Sequence, residues 1–316
     1  MTIEQKVSII LLTYNQEKFI RKAIESALLQ THKNIELIIS NNGSSDNTAS
    51  IIKSFLHDKR IIFLNYDHNE HPNIRTNQAL DIASGDFISW LYGDDYYTET
   101  KIQDQIKAFS KLDDSYGVVY GPGYEEDVTN GRLSLSKGVS TSGKCFESFL
   151  SGWLNPGSVN PISPLIKSKC YEIYRPDNSI FAEGEVLYIH LALSFKFFFL
   201  NKPLVVMSEH ESRLGKSFKR NLDSHSRSMQ RLIDVNNLSP KDCKTVYRHL
   251  SDLKINCSWH CFRTNQETAW ALENLYSAYI GAKIHSTLNK HFLISLLCLK
   301  LPTILQNLLN KILSRI

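Results

Sequence analysis

The chain has no Cys-X-X-Cys pair among its six cysteines (Cys145, Cys170, Cys243, Cys257, Cys261 and Cys298). Scattered thiols of this kind exclude a disulfide-stapled framework and read as reduced cytosolic side chains. Cys257 and Cys261 have His260 between them, but no second ligand pair follows at zinc-site spacing, so packing explains them better. Strong charge of one sign is also lacking. The formal net charge is +4 over 316 residues, whereas a nucleic-acid binder shows a larger basic excess clustered on one face. The N-terminal run MTIEQKVSIILLTYNQ has no basic segment, long apolar core or small-residue cleavage site, so no secretion signal is expected. The apolar stretch FLISLLCL at 292–299 is closed by Lys300 and Pro302, well short of the roughly 20 residues that span a bilayer. Internal repeats and low-complexity tracts are absent. What remains, 42 % hydrophobic and 22 % charged residues, suits a cytoplasmic globular protein with one large domain and an appendage.

The first third alternates between two periodicities. VSIILL at 7–12 and IELII at 35–39 are continuous aliphatic runs, as in parallel strands covered on both faces. Between them Phe19, Ile20, Ala23, Ile24, Ala27 and Leu28 recur at helical spacing. A polar loop from Ser40 to Asn47 opens a second helix through Ile52 and Phe55, and IIFL at 61–64 is a third strand. A helix from about Arg75 to Ala83, closed by Gly85 as a C-cap, precedes a fourth strand at 86–91; a helix at 101–112 precedes a fifth at 117–121. Repeated strand–helix alternation predicts right-handed crossovers in a parallel sheet whose ligands bind at the carboxyl ends of the strands. From there to about residue 180 the signals weaken into a loop-rich stretch. A helix through Leu187, Ile189, His190 and Leu193, a strand at 203–207 and mostly helical sequence after 222 complete the chain.

Polar residues gather where the strands end. Thr13, Tyr14 and Asn15 follow the first, Asn41, Asn42, Gly43 and Ser44 the second, and Tyr92, Gly93, Asp94 and Asp95 the fourth. Adjacent carboxylates repel each other, a penalty that a hard divalent cation between them and a phosphate removes. An acidic turn is the alternative, since Gly-Asp-Asp is also turn chemistry. The aromatic ring and amides of the other two loops are suited to a base and ribose. Asp46 reads mainly as a helix cap. Arg75 and His71 are positioned before the metal strand, where a cation meets a diphosphate unless both are simply solvated.

The runs VSIILLTYNQEKFIRKAIESALLQTHKNIELIISNNGSSDNT and NQALDIASGDFISWLYGDDYYTETKI resemble the family 2 inverting glycosyltransferases of GT-A fold, over about residues 5–215. The resemblance implies that Thr13, Tyr14 and Asn15 hold the nucleobase. Asn41 stands where members commonly have an acidic residue that recognises uracil, and Asn77 matches an asparagine of the helix before the metal strand. Asp94 falls on the last Asp of the DxD motif, with Asp95 after it, and His210 on a histidine that approaches metal or diphosphate; the implied cofactor is Mg²⁺ or Mn²⁺. Two departures stand out. Asn41-Asn42 replaces Asp-Asp, and Tyr92 replaces the first Asp of DxD.

The family's general base is matched by the segment Phe181 to Tyr188, where Glu185, with Glu183 as the alternative, would take the acceptor hydroxyl's proton. Both are also acids that the start of a helix favours. The expected fold is thus an α/β, GT-A-like (Rossmann-like), mostly parallel sheet over residues 1–215, followed by a mainly helical C-terminal extension over 216–316. The apolar tail 286–316 suits either a surface helix on the inner face of the cytoplasmic membrane or a lid. The expected partners are a nucleotide-sugar donor, UDP-linked by preference, and a glycan or lipid-linked acceptor of bacterial surface polysaccharide; a homo-oligomer stays open. A catalytically impaired relative acting as a nucleotide- or glycan-binding scaffold is the rival that the lost acids motivate. A nucleotidyltransferase is disfavoured because no Gly-rich loop with a lysine follows the first strand.

Overall fold

The computed structural model describes residues 5–136, 138–152, 159–181, 186–210, 218–235, 238–264 and 268–285. Glu183, Glu185 and the tail 286–316 lie outside the described residues. The chain divides into two compact units, Met1–Lys216 and Ser217–Ile316.

The first unit is built on β1 (Val7–Thr13), β2 (Ile35–Asn41), β3 (Ile61–Asn65) and β4 (Phe87–Tyr92), joined by α1 (Ile20–Leu28), α2 (Thr48–Lys53) and α3 (Pro72–Ile82). Parallel pairing of β1 with both β2 and β4, and of β2 with β3, gives the spatial order β3-β2-β1-β4. Every residue of β2 is buried, and so is all of β1 except Leu12, which is why both read as mainly aliphatic runs. The four apolar positions of α1 that lie on one stripe, Ile20, Ala23, Ile24 and Ala27, are fully buried against this sheet. Chain order reverses between β1 and β4, and that switch point opens a crevice at the carboxyl ends of the two strands.

β5 (Tyr96–Tyr97) and α4 (Lys101–Phe109) follow, then β6 (Tyr116–Tyr120), β7 (Gly123–Asp127), β8 (Arg132–Leu135) and α5 (Phe146–Gly152). β9 (Leu165–Lys167), α6 (Cys170–Ile173), α7 (Val186–Ser194), β10 (Lys196–Phe199) and β11 (Val205–Glu209) complete the unit. The main sheet has seven strands in the order β10-β6-β9-β4-β1-β2-β3, and the three-residue β9 runs antiparallel between β4 and β6. A second, four-stranded sheet has the order β5-β11-β7-β8. The stretch expected to be loop-rich therefore contains three strands and two helices.

Two details correct the expectations about α3. It begins at Pro72, whose fixed φ suits the first helical position. Gly85 is not its C-cap, because the helix ends at Ile82 and its C-cap is Ala83, in extended conformation. A Cβ on Gly85 would lie 2.5 Å from the Ser8 amide nitrogen, so close approach to β1 is what requires glycine here.

The first residue of α4 is a fully buried lysine. Lys101 Nζ donates to Ser89 Oγ at 2.8 Å and Gln105 Oε1 at 3.0 Å and lies 4.4 Å from the centre of the Tyr97 ring, with no acidic partner among the described residues. Burial pushes its pKa well below the ordinary 10.5. Folding then releases a proton, so stability rises with pH from the depressed folded value up to the ordinary one, at most by about 1.4 kcal/mol per pH unit. Lys101→Met is expected to raise stability most at the acidic end of that window. Urea unfolding of both proteins at near-neutral and mildly alkaline pH checks this: the advantage of Lys101→Met should shrink as pH rises, and pH-independent separation of the two curves would refute it.

The second unit contains α8 (Phe218–Val235), α9 (Pro240–Thr264) and α10 (Thr268–His285). α9 and α10 are tied by Ser258 Oγ donating to the Ala271 carbonyl at 2.8 Å and by Lys254 Nζ donating to Ser277 Oγ at 2.9 Å. Cys257 and Cys261 are buried in α9. Among the described residues, no helix is long and apolar enough to cross a membrane.

Candidate active site

Strand register alone brings the polar residues together. Thr13 pairs with Asn41 and Asn41 with Asn65, while Leu12 pairs with Tyr92, so the last residues of four neighbouring strands line one edge. Asn15 is the one non-glycine residue with positive φ among the described residues, at 52°. Asparagine tolerates this left-handed conformation better than most side chains. In it, the Asn15 N–H donates to Ser44 Oγ at 2.9 Å and its Oδ1 accepts the Ser45 N–H at 2.8 Å, stapling the loop after β1 to the loop after β2. Asp46 acts similarly, accepting the amides of Thr48 and Glu17 at 3.0 Å each. Thr13 is buried with Oγ1 on Gln16, whereas the Tyr14 ring is 42 % exposed on the rim.

The loop after β4 presses against the same residues. A Cβ on Gly93 would sit 2.2 Å from Gln16 Oε1 and 2.5 Å from Thr13 Oγ1, so only glycine lets the chain turn Asp94 into the crevice. Asp94 Oδ2 lies 3.0 Å from His210 Nε2, and the two side chains are only 11 % and 10 % exposed. His210 stacks on Phe19 at 4.8 Å between ring centres. A histidine 116 residues away reaches Asp94 because β11 pairs antiparallel with β5, which directly follows the acidic pair. Asp95 supports that arrangement from inside the protein. It is 2 % exposed and its Oδ1 accepts the Ser208 N–H at 3.0 Å, which sets β11 so that His210 arrives beside Asp94. Asp95, expected beside Asp94 as a metal ligand, thus has at least one carboxylate oxygen engaged with β11.

Asn42 and Arg75, both expected at the donor, are instead committed to a neighbouring loop. Asn42 Nδ2 donates to Asn69 Oδ1 and the Glu70 carbonyl, and its Oδ1 accepts from the Glu70 N–H and Arg75 Nε, all at 2.9 Å. Both amide hydrogens and both oxygen lone pairs are thereby used. Arg75, 4 % exposed, also donates to Gln78 and the His68 carbonyl and lies 3.6 Å over the Tyr66 ring. The backbone follows this hub closely: Gly43 has φ +71°, and a Cβ there would meet the His68 carbonyl carbon at 2.4 Å. His71 is exposed and packs edge-on against Phe181, and Asn77 Nδ2 donates to the Pro176 carbonyl and Asn178 Oδ1, both at 2.8 Å. Asn41 is 1 % exposed, its amide spanning Ser44 and Asn65.

Among the described residues no three His, Cys, Asp or Glu side chains cluster as a ready-made metal cage. A carboxylate oxygen and an imidazole nitrogen 3.0 Å apart at the crevice nevertheless fit a divalent cation that completes its shell with diphosphate oxygens and water. Asn65 has no place in the sequence pattern of the site although it ends the third apolar run at the same edge as Asn41, and Phe19 reads there only as an apolar helix position; its stacking on His210 depends on packing.

Residues 8–163 match the sequence pattern of glycosyl transferase family 2. An uncharacterized glycosyltransferase of Rickettsia typhi is 42 % identical over 39 % of this chain and 38 % of its own length. The Escherichia coli UDP-Glc:alpha-D-GlcNAc-diphosphoundecaprenol beta-1,3-glucosyltransferase WfaP is 44 % identical over 32 % of this chain and 39 % of its own. The chain therefore spans less than half the length of these curated relatives. Among solved structures, the mannosyltransferase PcManGT of Pyrobaculum calidifontis, in complex with GDP-Man and Mn²⁺, shares the fold with a TM-score of 0.59 and 13 % identity, covering 98 % of this chain and 85 % of that one.

Proposed function

Residues 8–163 place this chain in glycosyl transferase family 2, and from that premise we propose that it is an inverting glycosyltransferase using a UDP-sugar donor and a hydroxyl of a glycan or lipid-linked acceptor. The observation that carries the reading is the Asp94–His210 pair at the switch-point crevice beside the exposed Tyr14. Tyr14 stacks on the base, and Thr13 and Asn15 hold the loop beneath it. Asp94 and His210 would hold Mg²⁺ or Mn²⁺, which supplies charge neutralisation for the departing diphosphate. Glu185, or Glu183 in its place, takes the proton of the acceptor hydroxyl as its oxygen bonds to the anomeric carbon and the bond to the nucleoside diphosphate breaks.

The similarity to a glucosyltransferase whose name specifies a diphosphoundecaprenol-linked acceptor supports a role in bacterial surface polysaccharide assembly, on the inner face of the cytoplasmic membrane. The test is a nucleotide-sugar panel read by thermal shift with and without Mn²⁺, followed by turnover of whatever binds. Donor binding stabilises the folded state by mass action. UDP-sugars are expected to raise the melting temperature only with the cation and to be turned over slowly without acceptor. Binding without any turnover, even with acceptors supplied, would identify a scaffold instead; no binding at all would refute the donor site.

A further inference from the structure

The amide groups at the strand ends form a chain with a direction. The Asn15 backbone N–H donates to Ser44 Oγ at 2.9 Å, and the Ser44 hydroxyl donates to Asn41 Oδ1. Asn41 Nδ2 then donates to Asn65 Oδ1 at 2.7 Å. The Ser44 hydroxyl accepts the Asn15 N–H and gives its own hydrogen to Asn41, whose oxygen faces Ser44 and whose nitrogen faces Asn65. Asn65 turns its oxygen inward, which leaves its Nδ2 and two N–H groups for the outside. Asn41, at 1 % exposure, does not reach the surface itself, whereas Asn65 is exposed. Among the described residues, the hydrogen bond from Asn41 is the one that the Asn65 side chain makes.

Position gives this polarity a use. Thr13, Asn41 and Asn65 are register partners on consecutive strands, so Asn65 stands about 10 Å across the edge from Thr13. The exposed Tyr14 ring follows Thr13. A base stacked on that ring with one hydrogen bond from its far edge bridges the gap.

We propose that Asn65 presents N–H donors to the base of the donor nucleotide and thereby selects a base with a carbonyl on that edge, uracil over cytosine. This rests on the reading of the crevice as a nucleoside diphosphate site. With its oxygen held by Asn41, Asn65 makes this edge one that donates hydrogen bonds. The 4-carbonyl of uracil accepts such a bond. The 4-amino group of cytosine meets it donor to donor and leaves both unsatisfied.

Binding of UDP and CDP to the full chain in Mn²⁺, measured by isothermal titration for wild type, Asn65→Ala and Asn65→Asp, tests the proposal. UDP is expected to bind about tenfold more tightly than CDP to wild type. Asn65→Ala should bring the two affinities close together, and Asn65→Asp should reverse their order by presenting a carboxylate to the amine. Melting curves would report whether the variants are folded. Equal affinities in wild type, or an unchanged ratio in both folded variants, would overturn the role of Asn65 while leaving the donor site standing. Failure of either nucleotide to bind wild type would overturn the donor site itself.

Discussion

Asp94→Asn should reduce metal-dependent UDP-sugar turnover by roughly 10²–10³-fold, the scale on which a group that stabilises developing charge in a closed site acts. Stability should barely change. The Asn side chain keeps the shape of Asp94 and can still hydrogen-bond His210 at 3.0 Å, so what is removed is the negative charge that a cation needs. Asp95→Asn should lower stability as well as activity. Its carboxylate oxygen accepts the Ser208 amide from inside the protein, and an amide in that place loses a charge-assisted bond and shifts the strand that delivers His210. Parallel measurements of kcat against Mn²⁺ concentration and of thermal melting separate the roles. Activity lost at unchanged melting temperature marks Asp94, and activity lost together with stability marks Asp95. Full turnover in Asp94→Asn would contradict the assignment.

The second large effect concerns a residue that touches no substrate. Asn42→Leu removes four hydrogen bonds at once and leaves the Glu70 N–H and the Nε of the buried Arg75 without their acceptor, and the Asn69 and Glu70 oxygens without their donor. Leaving such groups without partners costs about 3–5 kcal/mol, which for a unit of this size lowers the melting temperature by roughly 10 °C. Asn42→Asp should cost less. It keeps both acceptors for Glu70 and Arg75 and supplies the guanidinium with an opposite charge, at the expense of the two bonds donated by Nδ2. Pairing Asn42→Leu with Arg75→Met should recover part of the loss, because the buried cation goes with its partner. Urea unfolding of the four proteins decides the matter. Equal destabilisation by Leu and Asp, with no recovery in the double variant, would mean that the hub is not held by Arg75.

The contrast between these residues explains what could be read in advance. β1 and β2 are covered on both faces, so continuous aliphatic runs announced them, and the strand-end position of Thr13, Asn41 and Asp94 followed from the fold. β9 was not legible: three residues are too few to show a period, and its antiparallel place between β4 and β6 is set by partners far along the chain. β10, the short run KFFF, escaped for the same reason. Asn42 and Arg75 read in the sequence as donor-binding residues, and only the return of residues 66–70 over Gly43 reveals them as a saturated interior hub. Asp94 and Asp95 are neighbours of identical chemistry, and alternation along the turn sends one to the crevice and the other inward. Composition and periodicity hold no signal for that choice; only the resemblance to the DxD motif singled out Asp94.

Asp94 acting through a bound cation is what donor binding depends on most. Titration of UDP into the full chain with Mn²⁺ or with excess EDTA, for wild type and Asp94→Ala, measures it directly. Binding to wild type should require the cation, and Asp94→Ala should bind UDP weakly and with no response to Mn²⁺. UDP affinity that is the same in EDTA, and the same in Asp94→Ala, would contradict the account.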